Sequence, residues 1–270
     1  MINKNYSKLF NLTDKTAIVT GGVGILGKCF CSGLAEFGAN VVIIDIDEKT
    51  VTDFASELSD KYGINALGIK CDISSPNEVQ KAIKLVVEKM GFIHILHNNA
   101  QGKTAPVVFE DCSLEEWRMT SSINEEGYFL MAQAVGKQMI KQNIGGSIIQ
   151  TSSVYGILGP DHRIYKNSSV NGSQMGSRAV YSFTKSGVIG LSKYLATYWA
   201  DKNIRVNTLT PGGVENNQND IFKKQYASRI PLGRMALKEE MVGALIYLAS
   251  DASSYVTGQN IVVDGGLQAW

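Results

Sequence analysis

Residues 16–27 read TAIVTGGVGILG: a β-branched run enters a glycine-rich turn and leaves it on a helical pattern. Glycines at 21, 22, 24 and 27 let the backbone turn sharply and approach a diphosphate, while the first turn of the following helix offers amide donors and partial positive charge. The same alternation predicts strands at Thr16–Thr20, Val41–Asp45, Ala66–Lys70, His94–Asn98, Ser147–Thr151, Arg205–Thr210 and Asn260–Val263. Helical stretches fall between them at Ile25–Phe37, Glu48–Tyr62, Pro76–Met90, Leu114–Gln142, Ala179–Asp201 and Lys238–Ala249. Ser75 with Pro76 and Glu78, and Ser113 with Glu116, carry helix-start signals. Strands that are apolar throughout and separated by helices predict an α/β fold, a doubly wound, Rossmann-type parallel sheet of about seven strands with helices on both faces. With no repeat or linker in view, residues 1–270 are expected to form a single domain.

Composition narrows the function. The 270 residues hold 26 Lys and Arg against 25 Asp and Glu, a net charge of +1, which argues against a general electrostatic grip on nucleic acid or an anionic membrane. No apolar run is long enough to span a bilayer, and the first residues lack the apolar stretch of a leader, so a cytoplasmic protein is expected. Cys29, Cys31, Cys71 and Cys112 form no C-x-x-C pair and read as reduced thiols. His94 and His97, three apart on a strand, face opposite sides, so no metal site is expected. Asp45 ends the second strand 18 residues after Gly27, where a carboxylate accepts hydrogen bonds from a ribose diol and repels a 2′-phosphate. That favours NAD over NADP.

Tyr181 and Lys185, in YSFTK, lie four apart on one helical face. Together with the glycine turn, HNNAQG at 97–102, Asn124, TSSVYG at 151–156 and PGG at 211–213, they resemble the short-chain dehydrogenase/reductase family over essentially the whole chain. The resemblance implies a catalytic set. Tyr181 would be the general acid/base, Lys185 would bind the nicotinamide ribose and hold its charge near the phenol, Ser153 would bind the reacting oxygen, and Asn124 would hold the water of a proton relay. It places Gly21, Gly24, Ile25, Leu26, Gly27, Asp45, Asp72, Ile73, Asn99, Ala100, Pro211, Gly212 and Val214 along the cofactor with Tyr181 and Lys185, Asn98 lining its floor beside Asn99. It also implies a homotetramer or homodimer, with VDGG at 263–266 near a subunit contact. A tyrosine of ordinary pKa near about 10 needs roughly 4 kcal/mol of differential stabilisation to work as a base near neutrality. A neighbouring ammonium and a cationic nicotinamide both favour the phenolate.

The chain departs from the family pattern in four places. Ile25 stands at the usual second glycine of the single-domain members, Gln101 follows the NNA motif in place of glycine, and Asn216 takes the usual threonine position after PGG. Tyr181 follows Ser153 by 28 positions, roughly twice the family spacing, so an insertion at about 155–178 is expected to overhang the active site, facing a lid at about 212–230. His162, Arg163, Lys166 and Arg178 against Asp161, with Ser168, Ser169, Asn171, Ser173 and Gln174, suit a ligand rich in hydroxyl groups that carries a phosphate or carboxylate. The expected reaction is NAD(H)-dependent interconversion of a secondary alcohol and a ketone on a sugar-like molecule. The insertion, GGVENNQ and the VDGGLQAW ending also resemble relatives in bacterial pathways for modified surface sugars, including flagellin glycosylation. A catalytically silent NAD(H)-binding sensor or scaffold is the alternative, and intact Ser153, Tyr181 and Lys185 weigh against it.

Overall fold

The computed structural model describes residues 6–102, 108–170 and 172–270. The first half alternates β1 (Thr16–Thr20), α1 (Ile25–Glu36), β2 (Asn40–Asp45), α2 (Glu48–Tyr62), β3 (Ala66–Lys70), α3 (Pro76–Met90) and β4 (Ile95–Asn98). Then come α4 (Leu114–Ser121), α5 (Tyr128–Gln142), β5 (Gly146–Thr151), the short strands β6 (Ser169–Val170) and β7 (Ser173–Gln174), and α6 (Ala179–Tyr198). The chain ends with β8 (Ile204–Pro211), α7 (Asp220–Ala227), α8 (Val242–Ala249) and β9 (Asn260–Val263). Seven strands form a sheet in the order β3-β2-β1-β4-β5-β8-β9, every neighbouring pair parallel.

The period of two along each strand sorts side chains between two cores. Ala17, Val19, Val41 and Ile43 pack with α1, α2 and α8; Ile18, Val42 and Ile44 pack with α3, α5 and α6. These strand residues are fully buried, each worth about 1.5–3 kcal/mol for the larger side chains. Because β2 and β3 lie to one side of β1 while β4, β5, β8 and β9 lie to the other, the order of strand addition reverses between β1 and β4. A crevice opens there beyond the strands' carboxyl ends.

Three predicted helices are subdivided. Leu114–Gln142 is not continuous: a π-helical turn at Ser122–Gly127 separates α4 from α5. One extra residue in a helical repeat leaves the apolar spacing on either side intact, so periodicity does not register it. The last predicted turn of α6 is a 3-10 turn at Ala200–Lys202, and α8 is preceded by another at Lys238–Met241. Ser113 and Glu116 close a full capping box, whereas at α3 Ser75 Oγ accepts from Glu78 N while the Glu78 carboxylate accepts from the Asp72 amide at 2.9 Å.

The insertion consists of 3-10 turns at Val154–Gly156 and His162–Tyr165 and the antiparallel β6–β7 pair. It packs on α7, a helix that the polar NNQN lead-in concealed, through Val154, Ile164 and Tyr165 against Phe222, Tyr226 and Ile230. Asn171 lies outside the described residues. No helix among the described residues is long and apolar enough to cross a membrane.

Candidate active site

The glycine turn is shaped by contact as well as by flexibility. Gly21 has φ of +63°, and a Cβ there would sit 2.6 Å from the Ala100 Cα; a Cβ on Gly27 would run into the Gly21 carbonyl. Gly24 caps α1 without a side chain, so the amides of the first turn, at Ile25 and Leu26, face the crevice end unpartnered within the helix. Asn99 ties this turn to β4: its amide donates to Thr20 Oγ1 at 2.9 Å and its Nδ2 to the Thr20 carbonyl at 3.2 Å. Ala100 donates to the same hydroxyl at 3.1 Å. Asp45 stands at the end of β2 with Oδ1 accepting from Ile46 N at 2.8 Å and Oδ2 from Val23 N at 3.3 Å. Asp72 follows β3, held by Ser74 through Oδ1, beside buried Ile73. The missing Cβ atoms, the free amides and the carboxylate form a cradle that fits a dinucleotide.

At the other end of the crevice Ser153, Tyr181 and Lys185 come together. Tyr181 and Ser153 share a hydrogen bond, and Lys185 Nζ lies 5.9 Å from the Tyr181 ring centroid. Burial pushes the Tyr181 phenol above its ordinary value and outweighs the Ser153 hydrogen bond, which favours the phenolate. Burial also pulls the Lys185 ammonium down to about 7. In the protein alone, then, the expected lowering of the phenol by its cation is overridden: at neutral pH the phenol keeps its proton and the lysine is only partly charged.

Asn124 sits in the π-helical turn, fully buried. Its Oδ1 accepts from Gly102 N at 3.0 Å and its Nδ2 donates to Thr184 Oγ1 at 3.2 Å, so its side chain pins the loop after β4 to α6. Beyond β8, Gly212 N donates to the Val263 carbonyl at 2.8 Å, and Val214 forms an isolated parallel bridge with Ala236. These contacts anchor the start of the lid.

Part of the insertion's polarity is tied up within the fold, while His162, Arg163 and Lys166 stand exposed. Asp161 takes both Arg163 Nε and Nη2 at 2.8 Å and lies 3.4 Å from Arg229 of the lid region. Asn219 N donates to the Ser169 carbonyl at 2.9 Å, Asn219 Nδ2 to the Asn167 carbonyl at 3.1 Å, and buried Ser168 bonds the Ile164 carbonyl and Gln225. Several residues read as ligand-facing therefore clasp insertion to lid.

Sequence reasoning passes over other members of the site. Tyr165 Oη donates to Tyr155 Oη at 2.7 Å, and both phenols are pushed up, chiefly by burial, with Tyr181 near enough to add to the shift. Lys28, Lys223 and Lys238 flank a groove of about 550 Å³ between the glycine turn and the lid. They lie outside the turn itself, where a search for basic residues would look. His97 is fully buried, its Nε2 2.8 Å from Thr151 Oγ1 and its ring edge-on to Phe30, with the imidazole pushed down to about 3 by burial and by Lys185.

Residues 24–268 match the family model described as enoyl-(acyl carrier protein) reductase. The chain belongs to the short-chain dehydrogenase/reductase family. It is 34% identical to a 3-oxoacyl-[acyl-carrier-protein] reductase from Aquifex aeolicus, over 95% of this chain and 98% of that one. It is 31% identical to an NAD-dependent glycerol dehydrogenase from Listeria innocua, over 98% of each. A crystal structure of a gluconate 5-dehydrogenase from Burkholderia cenocepacia, in complex with NADP and tartrate, superimposes with a TM-score of 0.87 and 31% identity, over 98% of this chain and all of that one. This family member is an oxidoreductase that works between CH–OH groups and carbonyls.

Proposed function

We propose that the protein interconverts a secondary alcohol and a ketone on a polyol, sugar or sugar acid, using NAD(H). The observation that carries this reading is the meeting of Ser153, Tyr181 and Lys185 at the end of a crevice whose other end is the glycine cradle. Gly21, Gly24 and Gly27 with the α1 amides would hold the diphosphate, Asp45 the adenosine ribose, Asp72 and Ile73 the adenine, and Asn99, Ala100, Pro211, Gly212 and Val214 the nicotinamide half. When bound, the dinucleotide supplies or accepts the hydride and, oxidised, adds a positive charge.

The chain's own residues manage the proton. Ser153 fixes the substrate oxygen beside Tyr181 Oη. In reduction the neutral phenol donates its proton to that oxygen, which matches the raised phenol; in oxidation the phenolate takes the proton back. Lys185 sets a partly protonated amine beside the ring, whose charged form favours the phenolate, and orients the ribose. Asp45 supports NAD, because a 2′-phosphate would meet its carboxylate. The NADP complex of the gluconate dehydrogenase makes that preference the part of the reading most open to measurement. The polyol and sugar-acid relatives support a hydroxylated substrate, and the 3-oxoacyl reductase relative makes an acyl thioester the alternative to test.

A homodimer or homotetramer belongs with this proposal: Phe129, Phe183, Tyr194 and Tyr198 stand exposed along α5 and α6, a surface that a second copy would bury and that sedimentation would report. The test of function is a substrate screen following NADH and, separately, NADPH, across ketoses, keto-acids of sugars, polyols and 3-oxoacyl thioesters. NADH oxidation with ketoses or sugar keto-acids is the expected result. Turnover confined to acyl thioesters overturns the substrate class, and binding of NADH with no turnover on any of them favours the sensor.

A further inference from the structure

The geometry points to Tyr128 as a positioning residue that fixes the direction of the Lys185 ammonium and favours its charged form. This rests on the reading of Tyr181 and Lys185 as the proton-handling pair.

Tyr128 is the first residue of α5, immediately after the π-helical turn, and it is the largest of the fully buried side chains. A buried phenolic hydroxyl must find partners. Here Tyr128 Oη donates to the Thr151 carbonyl at 3.2 Å and accepts from Lys185 Nζ at 3.2 Å. Lys185 Nζ donates to the same Thr151 carbonyl at 2.9 Å. Two of the ammonium's three protons are thus engaged on a rigid corner made by the end of β5 and the start of α5. The third is left to point out of that corner. The nitrogen lies 5.0 Å from the Tyr128 ring centroid and 5.9 Å from that of Tyr181, between two phenol rings.

A lysine has four rotatable bonds, and with Thr151 alone as partner it keeps much of that freedom. The Tyr128 hydroxyl removes it. The same hydroxyl is an acceptor, and an acceptor favours the charged form of the amine against the burial that opposes it. The titratable groups facing Lys185 are Tyr181 on its own helix, Tyr128 on α5 and His97 on β4. The imidazole titrates near 3 and stays neutral at working pH, and the Tyr128 phenol is pushed up by burial, so neither competes for the charge.

Tyr128→Phe deletes one oxygen and leaves the Thr151 carbonyl paired with Lys185. Losing an acceptor to a charged group should move the acidic limb of kcat/KM for alcohol oxidation upward by about one pH unit, because a less charged Lys185 supports the Tyr181 phenolate less well. The NADH dissociation constant should rise several-fold, a rise that should be absent when the substitution is made in a Lys185→Met background. A folded Tyr128→Phe protein with a wild-type pH profile and wild-type NADH affinity overturns the inference, as does a further loss of NADH affinity in the Lys185→Met background. If Tyr128→Phe does not fold, 3-fluorotyrosine placed at position 128 keeps the shape and weakens the hydroxyl as an acceptor; a smaller shift in the same direction is expected, and none overturns the role. Tyr181→Phe separates the two claims. If it retains wild-type rates, the reading of the pair fails and this inference with it; if it is inactive while the Tyr128→Phe profile is unchanged, this inference alone fails.

Discussion

At Asp45 two main-chain amides, those of Ile46 and Val23, orient a carboxylate at the tip of β2 against the glycine turn. Its place was legible because an acidic residue ending the second apolar strand is set by spacing, and strand and turn both formed where the pattern put them. Replacing it with alanine removes charged acceptors from the ribose diol and the repulsion of a 2′-phosphate together. The ratio of kcat/KM with NADPH to that with NADH should rise by about 10–100-fold, read from paired initial rates. An unchanged ratio would remove Asp45 from cofactor choice. His97 and Tyr128 were not legible in the same way. Each is a polar residue in an apolar element, and only coordinates show that Thr151 gathers both.

Among the elements, the insertion and lid were legible as a place but not as a structure. The 28-residue separation of Ser153 and Tyr181 announces extra chain, yet periodicity cannot say that Asn167, Ser169 and Asp161 hold Asn219 and Arg229. Nor did it find α7, whose cap is Asn219 itself, accepting from Phe222 N at 3.0 Å. Asn219→Ala removes the cap and the bond to Asn167 at once, a loss of about 1 kcal/mol in the ordered lid. Substrate KM should rise about fivefold with kcat and NADH affinity nearly unchanged. An unaltered KM would mean that the clasp does not order the substrate side.

For the whole molecule, burying a lysine in the core is a stability cost that varies with pH. The unfolded chain holds the Lys185 proton to about pH 10.4, while the folded protein releases it near 7. Between those values the unfolded state binds more protons, so stability rises with pH by up to about 1.4 kcal/mol per unit from this group. The raised cysteine and tyrosine groups act in the opposite sense above about pH 8.5, which leaves a window from 7 to 8.5. In denaturant titrations without cofactor, Lys185→Met should be more stable than the native protein at pH 7, with the gap narrowing toward 8.5. Its Thr151 carbonyl still receives Tyr128 Oη, so packing loss does not mask the effect. A gap independent of pH would show that Lys185 is not the titrating group. The doubly wound parallel sheet followed from apolar strands and helix-length connections, because burial on both faces leaves few other architectures for such a sequence.

The proposed chemistry requires a proton to pass through the Tyr181 hydroxyl, which Tyr181→Phe removes. NADH binding, followed by nucleotide fluorescence, is measured beside steady-state turnover of the best substrate from the screen. The prediction is NADH affinity close to that of the native protein with kcat reduced by at least about a hundredfold. Turnover within a few-fold of native, with affinity unchanged, would contradict it.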